Sequence, residues 1–290
     1  MVFDIQLVHL GFPKALKREK KITRLKISPQ NVEINSYESY ESNYLIICDH
    51  ASNNIPSDFR NLGLDNNAIS SHIAYDIGAK EVATHLSKIL NCPLVMSDFS
   101  RLLIDPNRGV DDPTLVMKIS DDKIIEGNKN ICNFRENAEK NKRINNYYNA
   151  YHDKVSRLIK NKIGNEKYPA IISIHSFTPF WKNKKRNIDI GVLWDNDERL
   201  PNIFFKYFEE NTPDLVIGDN EPYTGRLKND SIYRHATING LSNILIEIRQ
   251  DLITKDDGQK RFAEILSKPL LSNKENPILF SKKLYPSLAK

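Results

Sequence analysis

The sequence predicts an α/β protein: a single domain on a mixed, mostly parallel, twisted sheet flanked by helices. Two observations carry this reading. Short runs of β-branched and aromatic residues alternate with segments of helical periodicity through most of the 290-residue chain, the order that builds a sheet sandwiched by helices. Three of those runs also end on chemically active side chains. Tyr44-Leu45-Ile46-Ile47-Cys48 runs into Asp49-His50, Ala170-Ile171-Ile172-Ser173-Ile174 into His175, and Asn243-Ile244-Leu245-Ile246 into Glu247. In an open α/β sheet, ligands bind in the crevice beyond the carboxyl ends of the strands, so these residues belong to one candidate site. No internal repeat and no Gly/Ser-rich linker divides the chain.

Residues 1–42 read as an N-terminal extension, with a strand-like segment at 3–10 and a basic arm at 14–26 holding seven Lys/Arg against one acid. Residues 43–270 form the domain and 271–290 a C-terminal tail. After the first strand, Asp65 is placed to cap a short helix. A helix follows over 79–90, where Val82, Leu86 and Leu90 recur at spacings of four and face the sheet. If that helix already includes His72, then His72 and Asp76 lie one turn apart on one face. Residues 93–96 make a short strand, and 111–130, rich in Asp and Asn, a surface excursion that lines or covers the site. The longest helical pattern, 135–162, carries Tyr147, Tyr151, Val155, Leu158 and Ile159 on one buried stripe, with His152 among them. Beyond His175 come an aromatic loop (Phe177 to Trp181), a basic stretch (Lys182 to Arg186) and a strand at 188–194. A helix at 199–210 tolerates Pro201 in its first turn. A strand at 215–218, a polar loop from Asn220 to Arg226, the Glu247 strand and a helix at 256–267 complete the domain.

Composition narrows the function classes. Hydrophobic residues make up 40% and charged residues 27%, no apolar run reaches the length of a membrane span, and the start lacks a secretory leader. Cys48, Cys92 and Cys132 are an odd number without a CxxC spacing, as expected of free thiols in a reducing cytoplasm. The net charge of +5 sits in the basic arm and leaves the remainder close to neutral. No aromatic residues interleave with the arm as they do where bases are stacked, so neither a nucleic-acid nor a membrane partner is expected.

The usual signatures of serine hydrolases, phosphate-binding loops, dinucleotide folds and HExxH peptidases are absent. What remains is metal chemistry. A hydrolytic zinc takes three protein ligands and keeps one position open; His50 and His175 supply imidazoles, and Asp76 or Asp49 a carboxylate. Glu247, flanked by Ile246 and Ile248, is costly to ionise without a partner. It is either a salt-bridge partner of Arg249 or Arg234, or a general base. Arg101 and Arg108 are either surface ion-pair formers or ligand contacts, and Asn107 beside Arg108 favours recognition of a carboxylate.

The segments His50-Ala51-Ser52-Asn53, His72 to Gly78, Ser100 to Arg108, Ile174-His175-Ser176-Phe177 and Asn220-Glu221-Pro222-Tyr223, in this order, resemble the N-formylglutamate amidohydrolase family, with Tyr151-His152 on the long helix in support. That family is similar in fold to zinc carboxypeptidases and aspartoacylases. The resemblance implies a carboxypeptidase-like (phosphorylase/hydrolase-like) fold and a zinc-dependent amidohydrolase acting on a small molecule, an N-formyl or N-acyl derivative of an acidic amino acid such as N-formylglutamate. It implies that His50 and His175 bind zinc and Glu247 activates water. Arg101 polarises the scissile carbonyl or holds a second acidic group, Asn107 and Arg108 hold a carboxylate, and Tyr223, with Arg226 on the same loop, closes over the substrate. One departure stands out: where carboxypeptidases have HxxE, this chain has Asn53, a poor zinc ligand. Asp76 is therefore expected to complete the set, with His72 in reserve. Two readings without this turnover compete: a binding protein that keeps the fold, and a metallopeptidase acting on short peptides.

Overall fold

The apolar runs become the central strands because their side chains are apolar on both faces, as strands covered by helices on both sides require. In the computed structural model, residues 22–27, 32–37, 42–132, 136–164 and 167–289 are described. Apart from two short hairpins (Ile119–Ser120 with Lys123–Ile124, and Phe180–Trp181 with Lys184–Lys185), the strands are β1 (Ile22–Ile27), β2 (Val32–Tyr37), β3 (Tyr44–Cys48), β4 (Leu94–Met96), β5 (Ala170–Phe177), β6 (Ile190–Leu193), β7 (Ile217–Asp219) and β8 (Asn243–Arg249). They form one sheet in the order β1-β2-β4-β3-β5-β8-β6-β7. The pairs β3/β4, β3/β5, β5/β8 and β6/β7 are parallel. β6 runs antiparallel to β8, and the β1/β2 hairpin adds antiparallel strands at the β4 edge. The mixed, mostly parallel sheet predicted from the sequence is thus present. From β3 the chain moves to one side to make β4, then returns to make β5 on the other side of β3. The switch point of the sheet lies between β3 and β5, the strands that deliver His50 and His175.

Helices α1 (Ala79–Leu90), α2 (Asn149–Lys162), α3 (Arg199–Asn211), α4 (Ser231–His235) and α5 (Asp256–Ser272) cover the faces. On one face Val82 and Leu86 of α1, Phe204 of α3 and Phe262 and Leu266 of α5 pack on Ile46, Ile172 and Ile246. Each side chain buried in this way contributes about 1.5–3 kcal/mol. On the other, Tyr151 and Val155 of α2, Phe99, Leu103 and Ile232 pack on Leu45, Ile171, Leu193 and Leu245. Side chains alternate along a strand, so Ser173, His175 and Phe177 of β5 and Leu245, Glu247 and Arg249 of β8 all point to this second face. α2 continues from a helical segment, Ala138–Arg143, through a wider π turn, Ile144–Tyr148. Across this turn Tyr147, Tyr148 and Tyr151 all point inward and are fully buried.

Several expectations are refined. α1 starts at Ala79 and does not reach back to His72, because Gly78 has φ +80 and a side chain there would strike the Ile253 carbonyl; His72 lies in the preceding turns. Asp65 caps its short helix as expected, its carboxylate accepting from the Ala68 N–H at 2.7 Å. α5 runs on past 267 to Ser272 because Leu266 and Leu270 extend its buried stripe, with Pro269 inside. Residues 3–10 and the greater part of the basic arm lie outside the described residues; the arm's end forms β1. The segment after α5 packs on the domain: Leu279 and Phe280 are buried, and Arg199 donates to the Ser281 carbonyl at 2.6 Å. The polar excursion at 111–130 is fastened from inside. Buried Arg143 donates to the Leu103 carbonyl at 2.8 Å and to Asn128 Oδ1 at 2.7 Å, while Asn128 Nδ2 donates to the carbonyls of Leu102 and Met117.

Candidate metal centre and active-site cleft

At the switch point the ends of β3 and β5 bring His50 and His175 together, their rings edge to face with centroids 4.9 Å apart. Asp76 enters from the turn before α1, where its N–H donates to the His50 carbonyl at 2.9 Å. The Nδ1 atoms of His50 and His175 lie 3.3 and 2.8 Å from the same oxygen, Asp76 Oδ2. Among the described residues these three make the one His/Cys/Asp/Glu group with the convergence a metal ion needs, one potential ligand atom from each lying within 4.8 Å of the others. The opposite ring nitrogens are held. His50 Nε2 bonds Asp105 Oδ1 at 2.8 Å, and His175 Nε2 bonds Asp49 Oδ2 at 3.1 Å and Ser173 Oγ at 3.0 Å. This is the arrangement found behind metal-bound histidines, in which a carboxylate fixes the ring and leaves the other nitrogen to the metal. The donor set therefore fits a divalent ion, and a two-nitrogen, one-oxygen set suits zinc.

The electrostatics of the metal-free site follow from this packing. Burial opposes ionisation of Asp49, Asp76 and Asp105, but His50 and His175 at Asp49 and Asp76, and His50 with Arg101 at Asp105, outweigh it and hold all three well below the usual carboxylate range. Burial likewise opposes charge on His175, yet its bonds to Asp49 and Asp76 raise its pKa well above the ordinary value. Asp49, weighed in the sequence as a ligand, instead stands behind His175, where it also accepts from Ser173 and Ser231. His72, the reserve ligand, is at the rim, its Nε2 bonded to Asp121 at 2.6 Å.

One cleft of about 630 Å³ opens over this centre, lined by His50, Asp76, His175, Arg101, Asn107, Arg108, Tyr223 and Glu247. Eight of the nine site residues expected from the sequence thus share it; Arg226 is exposed and does not line it. Glu247 stands opposite His175 in the β5/β8 register. Its expected salt-bridge partners are engaged elsewhere: Arg249 with Asp189 at 2.7 Å and with Asp251, and Arg234 with the Tyr148 hydroxyl. Glu247 Oε2 is buried with no hydrogen-bond partner. Burial, aided by Asp76 and opposed by the cationic neighbours, pushes its carboxyl up to about 7. Room for it comes from Gly191 on β6, where a Cβ would sit 3.3 Å from the Glu247 Cβ and collide with the Glu221 carbonyl.

Arg101 bridges Asp76 Oδ1 at 3.4 Å and Asp105 Oδ2 at 3.1 Å, while its buried Nε has no partner. Arg108 lies 4.0 Å from Asp105, its carbonyl accepting from the Tyr148 hydroxyl. Asn107 is buried, and its Oδ1 accepts from the Ser231 N–H at 3.1 Å, which leaves its Nδ2 as the donor for a ligand. Tyr223 accepts from Arg186 at 2.9 Å at the cleft mouth. Sequence reasoning did not assign Asp105, Ser173 or Ser231. Asp105 had a signal, its place two residues before Asn107; Ser173 had the same-face spacing to His175; Ser231, distant in sequence, had none.

The site can be set beside known proteins. The sequence model of the N-formylglutamate amidohydrolase family matches residues 42–254. No curated protein matches the chain. Among solved structures, the gene product Atu2144 from Agrobacterium tumefaciens is 34% identical, with a TM-score of 0.74, over 81% of this chain and 93% of that one. An N-formylglutamate amidohydrolase from Ralstonia eutropha JMP134 is 18% identical, with a TM-score of 0.60, over 82% and 94% of the two chains, and shares the fold. The family match spans every strand and loop that carries the cleft residues, and on that ground the chain belongs to the N-formylglutamate amidohydrolase family.

Proposed function

We propose that this amidohydrolase cleaves the linear amide of an N-formyl or N-acyl amino acid with a divalent metal, zinc, held by His50, Asp76 and His175. The observation that carries this reading is the convergence of those three ligand atoms below the same cleft as the unpartnered carboxylate oxygen of Glu247. When bound, the metal supplies Lewis-acid polarisation of water and of the amide carbonyl. Arg108 and Asn107 Nδ2 bind the substrate carboxylate, a guanidinium and an amide matching its two oxygens. Arg101 donates from its free Nε to the carbonyl oxygen as negative charge develops there. Glu247 Oε2 takes a proton from the attacking water and returns it to the departing amine nitrogen; a carboxyl near 7 can do both at neutral pH. N-formylglutamate is the reference substrate.

The test is metal content by elemental mass spectrometry on purified wild-type protein and His175→Ala, followed by amine release from N-formyl amino acids. About one zinc per chain, lost in the variant, with turnover abolished in Glu247→Gln, is expected. No metal uptake when zinc is offered would sink the reading.

A further inference from the structure

The cleft is unevenly furnished for a dicarboxylate. Glutamate derivatives carry a second anion that needs its own cationic partner once desolvated. Among the described residues, the arginines lining the cleft are Arg101 and Arg108. Arg101 is ion-paired to Asp76 and Asp105, and its one unpartnered donor, Nε, is the one assigned above to the amide carbonyl. His72 is paired with Asp121. Arg186, near the mouth, does not line the cleft; its guanidinium is packed 5.1 to 5.5 Å from the ring centroids of Phe177, Trp181 and Tyr223. Arg108 is thus the one cleft guanidinium available to a carboxylate, and Asp112, a carboxylate itself, lines the same space.

In place of a second cation the cleft offers uncharged side chains, the apolar ones among them including Leu193, Leu227 and Leu245. Leu193 and Leu245 face one another across the β6/β8 register, one same-face step from Gly191 and Glu247. Leu227, 36% exposed on the loop before α4, lines the same recess. α4 ties this recess to the carboxylate anchor, since Ser231 bonds Asn107 while the next residue, Ile232, belongs to the apolar cluster of Leu193 and Leu245. The carboxylate anchor and these leucines thus belong to one connected wall of the cleft.

Building on the proposed hydrolysis, we infer that the substrate is an N-formyl or N-acyl amino acid with one carboxylate and an apolar, aliphatic side chain, and that N-formylglutamate is the poorer ligand. The first measurement is calorimetric binding of N-formyl-leucine and N-formylglutamate to full-length, zinc-supplied Glu247→Gln protein, beside turnover of both by the wild type. Binding of the leucine compound at least ten-fold tighter is expected, the scale on which a site discriminates by a desolvated or unmatched group. Equal or tighter binding of N-formylglutamate, or no binding of either, overturns the inference. Tighter binding of the leucine compound without turnover of either supports it while removing the hydrolytic reading, so the two fail separately. As a second arm, Leu227→Arg supplies the missing cation from an exposed position and should move the preference at least ten-fold toward N-formylglutamate; an unchanged ratio in the folded variant overturns the assignment of the recess.

Discussion

Replacing Glu247 with Gln should raise the stability of the metal-free protein while removing its activity. In the fold the carboxyl titrates at about 7 against an ordinary 4.5. Holding it ionised therefore costs about 2.5 pH units, or about 3 kcal/mol at roughly 1.4 kcal/mol per unit. Because the folded value lies above the unfolded one, the cost is absent below about pH 4.5, grows as pH rises and is complete above about 7. Glutamine keeps the shape and has no charge to desolvate. With chelator present, Glu247→Gln should melt at least roughly 5 °C higher than wild type at pH 8, and the gap should shrink to a small fraction at pH 5. Activity should fall by about 10²- to 10⁴-fold, the usual contribution of a positioned base. Thermal unfolding followed by circular dichroism at the two pH values is the assay. A gap that is the same at both, or a variant that melts lower at pH 8, would refute the claim that this carboxylate is held at a cost.

Four further outcomes follow from the same geometry. Asp105→Asn should weaken zinc affinity by about 10- to 100-fold in a chelator competition, since it frees the His50 ring. Zinc binding should release at least one proton at pH 7 and tighten as pH rises, because Asp49 and Asp76 favour the protonated form of His175, which the metal must displace; calorimetry in two buffers of different ionisation heat would detect it, and no release would contradict the assignment. The acid limb of kcat/KM should lie at or below about pH 7, with activity rising as Glu247 ionises, and its midpoint is read from a pH–rate profile. Gly191→Ala should lower kcat/KM at least roughly ten-fold, because the added methyl collides with the Glu221 carbonyl behind Tyr223 and crowds Glu247; a variant with unchanged kinetics would show that this loop is free to shift.

Strand ends were the most legible part of this sequence. Buried parallel strands read as continuous apolar runs, so His50, His175 and Glu247 could be placed at the sheet's carboxyl edge from composition and spacing. Asp76 was reached by elimination once Asn53 had displaced the expected glutamate. Asp49 stayed open as an alternative to Asp76 because sequence gives no ring orientation: only the fold shows that both imidazoles turn Nδ1 to the centre and Nε2 away. Arg226 was assigned from its loop, yet a loop residue's direction depends on backbone turns that periodicity does not encode. The antiparallel β6/β8 pair is a long-range pairing, and the attachment of 271–290 rests on burial of Leu279 and Phe280 and on Arg199; no local pattern announces either.

The π turn at Ile144–Tyr148 has a consequence for how the helix covering this face of the sheet tolerates change in length. A π turn is a helix holding one residue more than its neighbours, and each helical residue advances the chain by about 100°. Deleting one residue there would relax the helix to regular winding and swing everything on one side of it by that angle relative to the other. Tyr148, whose hydroxyl is the hinge pin between the Arg108 carbonyl and Arg234, could not stay in place if His152 and Tyr151 beyond it kept theirs. This stretch is therefore expected to accept many substitutions on its outer side and almost no change in its count of residues.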